Sequence, residues 1–433
     1  MSTVENAQVG YFELLRNNHA FRWLWLSRVI SQLGDWFTAI SLYAMLMELT
    51  GKGQSIGLLL VAILLPGLLF GPVGGMVADR LDRKKVIFIC CVLRGVIVLG
   101  LLWVRQPEHV WLIYALRFTQ SSVTAMFDAS ENAAIGSVLA RNEVVTGNTI
   151  VYGITWSAML ALGALAGGLT AAWLGRSMAF IIDSATFFAA AACVSRVSLP
   201  RREPSSQAGS WAGALGIQAR KEALRLLFHD RGVRLVLFAK AGWGLAGGGI
   251  MLLYSVFGAR VFPVANHADI GIGLLYAARG VGAMLGAPVA RRIGGSGERS
   301  LVRGIGACFF VMMTAFALFA VAPSLLWASL FLIIANMGVS TLWVYSSSLI
   351  NLWVPNETRG RAFAADSTLF TSAMILSSGL TGLVIDGFGL TPQQLQLGLA
   401  ALLLLPTVGW WLGARRYSPA APAPARLEPD APG

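Results

Sequence analysis

The sequence predicts an all-α membrane protein of twelve transmembrane helices arranged as two pseudo-symmetric six-helix bundles. Three observations carry this. Apolar runs of about 20 residues, each long enough to cross roughly 30 Å of hydrocarbon as a helix, recur along nearly the whole chain. Only 12% of the 433 residues are charged and 56% are hydrophobic, whereas a soluble domain is about one quarter charged. The basic residues collect in alternate loops, as expected when Lys and Arg are retained on one side during insertion.

The apolar runs place spans near residues 21–47, 56–78, 86–104, 110–136, 149–174, 177–196, 233–257, 270–290, 302–322, 325–350, 363–388 and 394–413. The longest polar interval, 197–232, holds Arg201, Arg202, Arg220, Lys221, Arg225 and Arg231. It separates a first half, 1–196, from a second, 233–414, and a tail, 415–433, follows. Within the interval Ile217, Leu224, Leu227 and Phe228 share one helical face opposite Arg220, Lys221 and Arg225, which predicts a short amphipathic helix on the inner leaflet. The Pro/Ala alternation after Ser418 predicts an unstructured tail.

With the N-terminus cytoplasmic, the loops on that side hold Arg80, Arg83, Lys84 and Lys85, the central basic interval, Arg291, Arg292, Arg359, Arg361, Arg415 and Arg416. The opposite loops hold only Lys52, Arg105, Arg176 and Arg260. Both termini are therefore expected on the cytoplasmic side of a cytoplasmic (inner) membrane. This loop distribution accounts for the formal charge of +12 without a nucleic-acid partner. Residues 1–20 lack an apolar h-region, so the first span is expected to direct insertion. Cys90, Cys91, Cys193 and Cys308 all fall in apolar runs and read as small core residues. The halves echo each other: IGLL occurs at Ile56–Leu59 and Ile272–Leu275, and Gly71/Gly75/Arg80 is matched by Gly282/Gly286/Arg291. Paired six-span halves are a recurrent transporter design with the substrate site between them.

The most specific local signal follows the second span: Gly75, Asp79, Arg80, Asp82, Arg83, Lys84 and Lys85. Arg80, Lys84 and Lys85 alone would suit any positive-inside loop, but Gly75 and Asp79 ask for more. Gly67, Gly71 and Gly75 recur every four residues and predict a smooth stripe for close helix approach.

Here the chain resembles the major facilitator superfamily. Gly75-Met-Val-Ala-Asp79-Arg80-Leu81-Asp82-Arg83-Lys84 is similar to the family's loop-2/3 signature, with Asp82 in place of its second Gly. Arg117-Phe-Thr-Gln120 resembles the intramembrane Arg-x-x-Gln, with Ser121 where Gly is usual. Gly163-Ala-Leu-Ala-Gly167-Gly168 resembles the antiporter motif, with Ala164 replacing Pro. Leu15-Arg16-Asn17, Ser31–Trp36 and Val354–Arg361 resemble the branch of drug:proton antiporters that includes macrolide efflux proteins and siderophore exporters. The resemblance implies a latch formed by Asp79 and Arg83, with Asp79 facing the N-terminus of the eleventh span near Arg361, where a helix dipole favours an anion.

Charges within spans are costly and are functional candidates by default. Arg28, Gln32 and Asp35 are spaced i, i+4, i+7 on one face of the first span. They read either as a buried structural pair, Arg28 with Asp35 or with another helix, or as a polar stripe lining a cavity, with Asp35 taking and releasing a proton. Arg94, Arg117, Asp128, Asp183, Lys240 and Arg279 are the other intramembrane charges. Asp128 and Glu131 lie level with the basic loop, which favours a structural bridge to Arg83 over substrate contact; Asp183 and Lys240 form one conceivable cross-helix pair. Phe118, Phe127, Trp156, Phe187, Phe188, Trp243, Tyr254, Trp343 and Phe370 lie inside spans as packing residues or as a site for a bulky amphipathic compound.

Gly242-Trp-Gly244-Leu-Ala-Gly247 matches GxGxxG without a βαβ context, so it reads as helix packing. No catalytic constellation, zinc spacing or Walker loop is present, so the chain is expected to be neither an enzyme nor an ATP-driven pump, with no metal or cofactor. The expected function is proton-coupled antiport, the efflux of a hydrophobic or amphipathic molecule such as a drug or secondary metabolite, by a monomer whose partners are the bilayer and the substrate. A siderophore or lysophospholipid transporter of the same fold, and a non-transporting membrane sensor, are the alternatives.

Overall fold

The computed structural model describes residues 9–199, 231–294 and 297–415. Among these the chain is helical, apart from loops and one isolated bridge between Val264 and His267. The long helices are α1 (His19–Thr50), α2 (Gly53–Arg80), α3 (Arg83–Leu99), α4 (Val110–Val138), α5 (Trp156–Leu174), α6 (Arg176–Ser195), α7 (Arg231–Val256), α8 (Ala268–Gly294), α9 (Glu298–Ala320), α10 (Leu325–Trp353), α11 (Asn356–Gly387) and α12, which runs Pro392–Leu402 and resumes at Leu404–Arg415. Ten of the described helices are long and apolar enough to cross a membrane. The other two, α1 and α4, have 32 and 29 residues. Their hydropathy is lowered by polar side chains within them, among them Asp35 and Arg117. The expected amphipathic helix in 197–232 and the tail beyond Arg415 lie outside the described residues.

Local chemistry sets several helix starts. The Asn18 side chain accepts the Phe21 amide at 3.0 Å to open α1, and Asp82 accepts the Lys85 amide at 3.2 Å to open α3. Asp82, the departure from the loop signature, is thus an N-cap. Gly175, at φ +86°, occupies a conformation that L side chains rarely adopt and turns α5 into α6.

In the first half α1 packs on α5 and α6, α2 on α4, and α3 on α4 and α6; in the second, α7 packs on α11, α8 on α10, and α9 on α10 and α12. Two seams join the halves, α2 against α11 and α5 against α8. The repeated IGLL strings sit on these seams, with Ile56, Leu59, Ile272 and Leu275 fully buried. Glycine permits both approaches: a Cβ on Gly57 would come within 2.7 Å of the Ser378 carbonyl on α11, and one on Gly168 within 2.5 Å of the Asp269 carbonyl on α8.

The expected packing stripe on α2 differs. A Cβ on Gly67, Gly71 or Gly75 would meet nothing within 4 Å; Gly74 is the close contact, 2.5 Å from the Ala125 carbonyl of α4. One helical step carries the packing face away from the stripe, which is left facing the interior opening. The echo in α8 behaves otherwise, since Cβ atoms on Gly282 and Gly286 would lie 2.9 Å from the Asn336 Cβ and the Met337 Cα of α10 and closer still to the Ile333 and Met337 carbonyls.

The halves are tied together at the face remote from the chain termini. Arg176 at the start of α6 makes a bidentate contact with Asp269 of α8, at 3.1 and 3.0 Å, and bonds Glu48 of α1 at 2.6 Å. Asp386 at the end of α11 accepts the Gly53 and Gln54 amides at 3.2 and 2.7 Å, capping α2 from the opposite half. Arg260 donates to the Gly51 carbonyl.

Candidate functional site

Beneath this closed face lies a cavity of about 1070 Å³ between the halves. Its wall is mostly apolar, built from Leu60, Ile63, Leu64 and Leu68 of α2 and from Met251, Leu369 and Met374 of the second half. Gly67, Gly71 and Pro72 add a flat strip. Polar groups enter from few places: Asp35 of α1, Arg94 of α3, Arg117, Gln120, Thr124 and Asp128 of α4, and Ser367, Thr368 and Thr371 of α11. A large apolar cavity with a few convergent polar groups is the ordinary form of a small-molecule site.

Asp35 is on the wall, its side chain 31% exposed, and its partner is Arg94, whose Nη2 donates to Oδ2 at 2.6 Å. Arg94 is almost wholly buried, stacked over Phe187 at 4.2 Å and near Phe127 at 5.2 Å. The alternative pairing of Asp35 with Arg28 does not form. Seven residues separate the two by about 10 Å along the helix, and Arg28 instead bonds the fully buried Glu131 of α4, with Asp128 at 4.0 Å. Of the i, i+4, i+7 stripe only Asp35 reaches the cavity; Gln32 carries a buried Oε1 with no partner.

Arg117 and Gln120 are both on the wall, and Arg117 Nη1 donates to Gln120 Oε1 at 2.7 Å, one helical turn away. Asp183 is fully buried behind the wall and accepts the Thr38 hydroxyl at 2.5 Å. Gly34 of α1 makes room for it, a Cβ there coming within 2.5 Å of Asp183 Oδ1. Asp183 and Lys240 do not pair; each has a partner in its own half. Lys240 of α7 bonds Asp366 of α11 at 2.6 Å and Ser347 at 3.2 Å, over the Trp343 ring at 4.4 Å.

The expected Arg83–Asp128 bridge is replaced. Arg83 Nε donates to the Ala78 carbonyl at 3.1 Å and Nη1 to the Ala133 carbonyl at 3.0 Å, which spends its guanidinium on tying α2 to α4. Asp128, about half exposed, faces the cavity. Asp79 is exposed and forms no ion pair among the described residues, and Arg80 lies beside it, partly buried. The antiporter-like glycines pack helices: Cβ atoms on Gly163 and Gly167 would lie 2.9 Å from the Trp36 Cβ and 2.8 Å from the Phe37 Cα of α1, while Gly168 meets α8. In the GxGxxG string Gly244 lies against the Phe370 carbonyl of α11, again as packing.

Aromatic lining comes from Trp36 and Tyr43 rather than from the nine aromatics considered above. Tyr43 stacks on Tyr276 at 5.4 Å across the halves. Sequence reasoning passes over Asp366, although the intramembrane-charge rule would select it. Asp269, Arg176 and Asp386 lie at helix ends, where that rule is silent.

The matches to known proteins agree with this architecture. Residues 24–340 match the family model described as Major Facilitator Superfamily. The putative bacilysin exporter BacE of Bacillus amyloliquefaciens is 26% identical over 323 residues, covering 73% of this chain and 77% of the relative. The enterobactin exporter EntS of Escherichia coli O1:K1 / APEC is 26% identical over 397 residues, 87% of this chain and 86% of the relative. The crystal structure of the nucleoside transporter NupG superposes with a TM-score of 0.70 at 17% identity, over 93% of this chain and all of that one, and shares its fold. With a family model spanning most of its length, two inter-helix seams joining its halves and a polar-studded cavity between them, the chain belongs to the Major Facilitator Superfamily of membrane transporters.

Proposed function

We propose that this transporter exports a hydrophobic or amphipathic small molecule by alternating access, driven by proton influx with Asp35 as the coupling carboxylate. One observation carries the reading: Asp35, on the cavity wall, is ion-paired at 2.6 Å to the buried Arg94. A proton arriving through the cavity would break the pair and leave Arg94 between Phe127 and Phe187, so protonation and helix movement are linked. Likeness to exporters over most of the chain supports the outward direction. The positive-inside pattern supports a cytoplasmic-membrane location with both termini inside, which makes the cavity open inward. On this reading Asp79, Arg80 and Arg83 form the inward-side latch toward the N-terminus of α11. The cavity is complete within one chain, in keeping with a monomer. Likeness to EntS supports a siderophore as the second substrate reading.

The test uses everted membrane vesicles energised by respiration, with a pH-sensitive dye reporting proton release on addition of a macrolide, a cationic dye or a catecholate siderophore. Wild type should dissipate the gradient with at least one of them. Asp35→Asn should abolish the response while retaining binding, and Asp35→Glu should restore part of it. An Asp35→Asn protein that moves protons as wild type does would transfer the coupling role elsewhere.

A further inference from the structure

Three intramembrane cations are matched by a carboxylate: Arg28 by Glu131, Arg94 by Asp35 and Lys240 by Asp366. Two form no ion pair among the described residues. Arg117 bonds the neutral Gln120, its Nε is buried without an acceptor, and the buried Asp183 carboxylate is within electrostatic reach of it without closing an ion pair. Arg279 of α8 has a buried Nη1 without an acceptor, and its recorded neighbours are rings, Trp156 at 5.8 Å and Tyr276 at 5.9 Å. It sits in the α5–α8 seam beside Gly280, where a Cβ would come within 2.5 Å of the Ala161 amide. Tyr43, on the cavity wall and stacked on Tyr276, is within electrostatic reach of both guanidinium groups. An unmatched charge at this depth is expensive to hold, and one such charge in each half, grouped around one cavity-lining ring, calls for a counter-charge brought by the cargo.

We infer that the substrate carries an oxyanion, a carboxylate or a phosphate, on an apolar body, and that Arg117 of the first half and Arg279 of the second are its two anion contacts. Arg117 meets the oxyanion in the cavity as it stands. Arg279 comes within reach when the α5–α8 seam parts and Tyr43 separates from Tyr276. The planar guanidinium fork suits a two-oxygen group, and the leucine-rich wall takes the remainder. This narrows the substrate class of the transporter reading above and rests on it.

The experiment measures equilibrium binding to the full chain in nanodiscs with two matched probe pairs: 1-naphthylacetate against 1-naphthylacetamide, and lauroyl lysophosphatidylglycerol against monolauroylglycerol. Wild type should bind at least one acid about tenfold more tightly than its neutral mate. Arg117→Gln and Arg279→Gln should each erase most of that ratio, and the Lys variants should keep part of it. Because the ratio is taken within one protein sample, a lower folded fraction does not change it. Preference confined to the naphthyl pair assigns a soluble organic acid, and preference confined to the lauroyl pair a lipid headgroup. Equal affinities within both pairs, or an acid preference untouched by both Gln variants, overturns the inference. If arginine-dependent acid binding persists while the vesicle assay registers no transport, the export reading falls and the anion site stands; if neutral compounds are pumped without an acid preference, the reverse holds.

Discussion

Replacing Asp269 by Asn should loosen the closed face without unfolding the protein. Asp269 is buried, and its two oxygens take both prongs of Arg176 at 3.1 and 3.0 Å, joining α6 of the first half to α8 of the second. A hydrogen bond to a charged group contributes about 1.5–3 kcal/mol. Asn keeps one acceptor, so roughly one such bond and the charge are lost. The larger cost of stranding a buried charge, about 3–5 kcal/mol, does not apply, because Arg176 retains Glu48 at 2.6 Å. The balance is about 2 kcal/mol, or about a 30-fold shift in the ratio of closed to parted face. That shift is specific to conformation because the contact exists only while the two halves touch. Spin labels at Lys52 and Phe388, exposed positions on the other seam, report the separation by pulsed dipolar spectroscopy. Wild type should give one short distance, Asp269→Asn a growing long one, and Asp269→Arg, which opposes like charges, mostly the long one. Identical distance distributions in all three folded proteins would refute the reasoning.

The remaining expectations concern stability. Glu131→Ala removes the close partner of the nearly buried Arg28 and leaves it only Asp128 at 4.0 Å, so it should cost up to about 3–5 kcal/mol, seen as a lower unfolding temperature; adding Arg28→Met should recover most of it, and failure to do so would argue against the pair as the cause. Gly167→Ala forces a Cβ to within 2.8 Å of the Phe37 Cα and should cost about 1–3 kcal/mol, whereas Gly75→Ala, with open space around it, should stay within about 0.5 kcal/mol in the same denaturation assay. Asp366→Ala should destabilise through the stranded Lys240, and Lys240→Met with Asp366→Leu should melt at or above wild type.

The twelve-helix plan is readable from the sequence because apolar runs and basic loops are additive, local signals. Which charges lie within the helices is also readable, since each intramembrane charge is conspicuous alone. Their pairing is not. Arg28 to Asp35 is the near neighbour in sequence, yet the partners observed are Glu131 and Arg94, more than 50 residues away in each case, because helix rotation and depth decide who meets whom. The same limit explains Asp128, which shares a level with the basic loop but points into the cavity while Arg83 binds main-chain carbonyls. Contacts such as Asp386 on the α2 amides leave no trace in hydropathy or spacing, since a carboxylate at a helix end is ordinary in any loop.

A Cβ added to Gly67, Gly71 or Gly75 has open space around it in this conformation, and under alternating access that changes what a survey of mutants can detect. A screen that scores only expression or thermal resistance samples the conformation described here and should pass bulky residues at all three sites. A screen that scores growth under transport demand samples the whole cycle and should reject them. The difference between the two surveys, taken position by position along α2, would mark the surface held in reserve for a state this structure does not occupy.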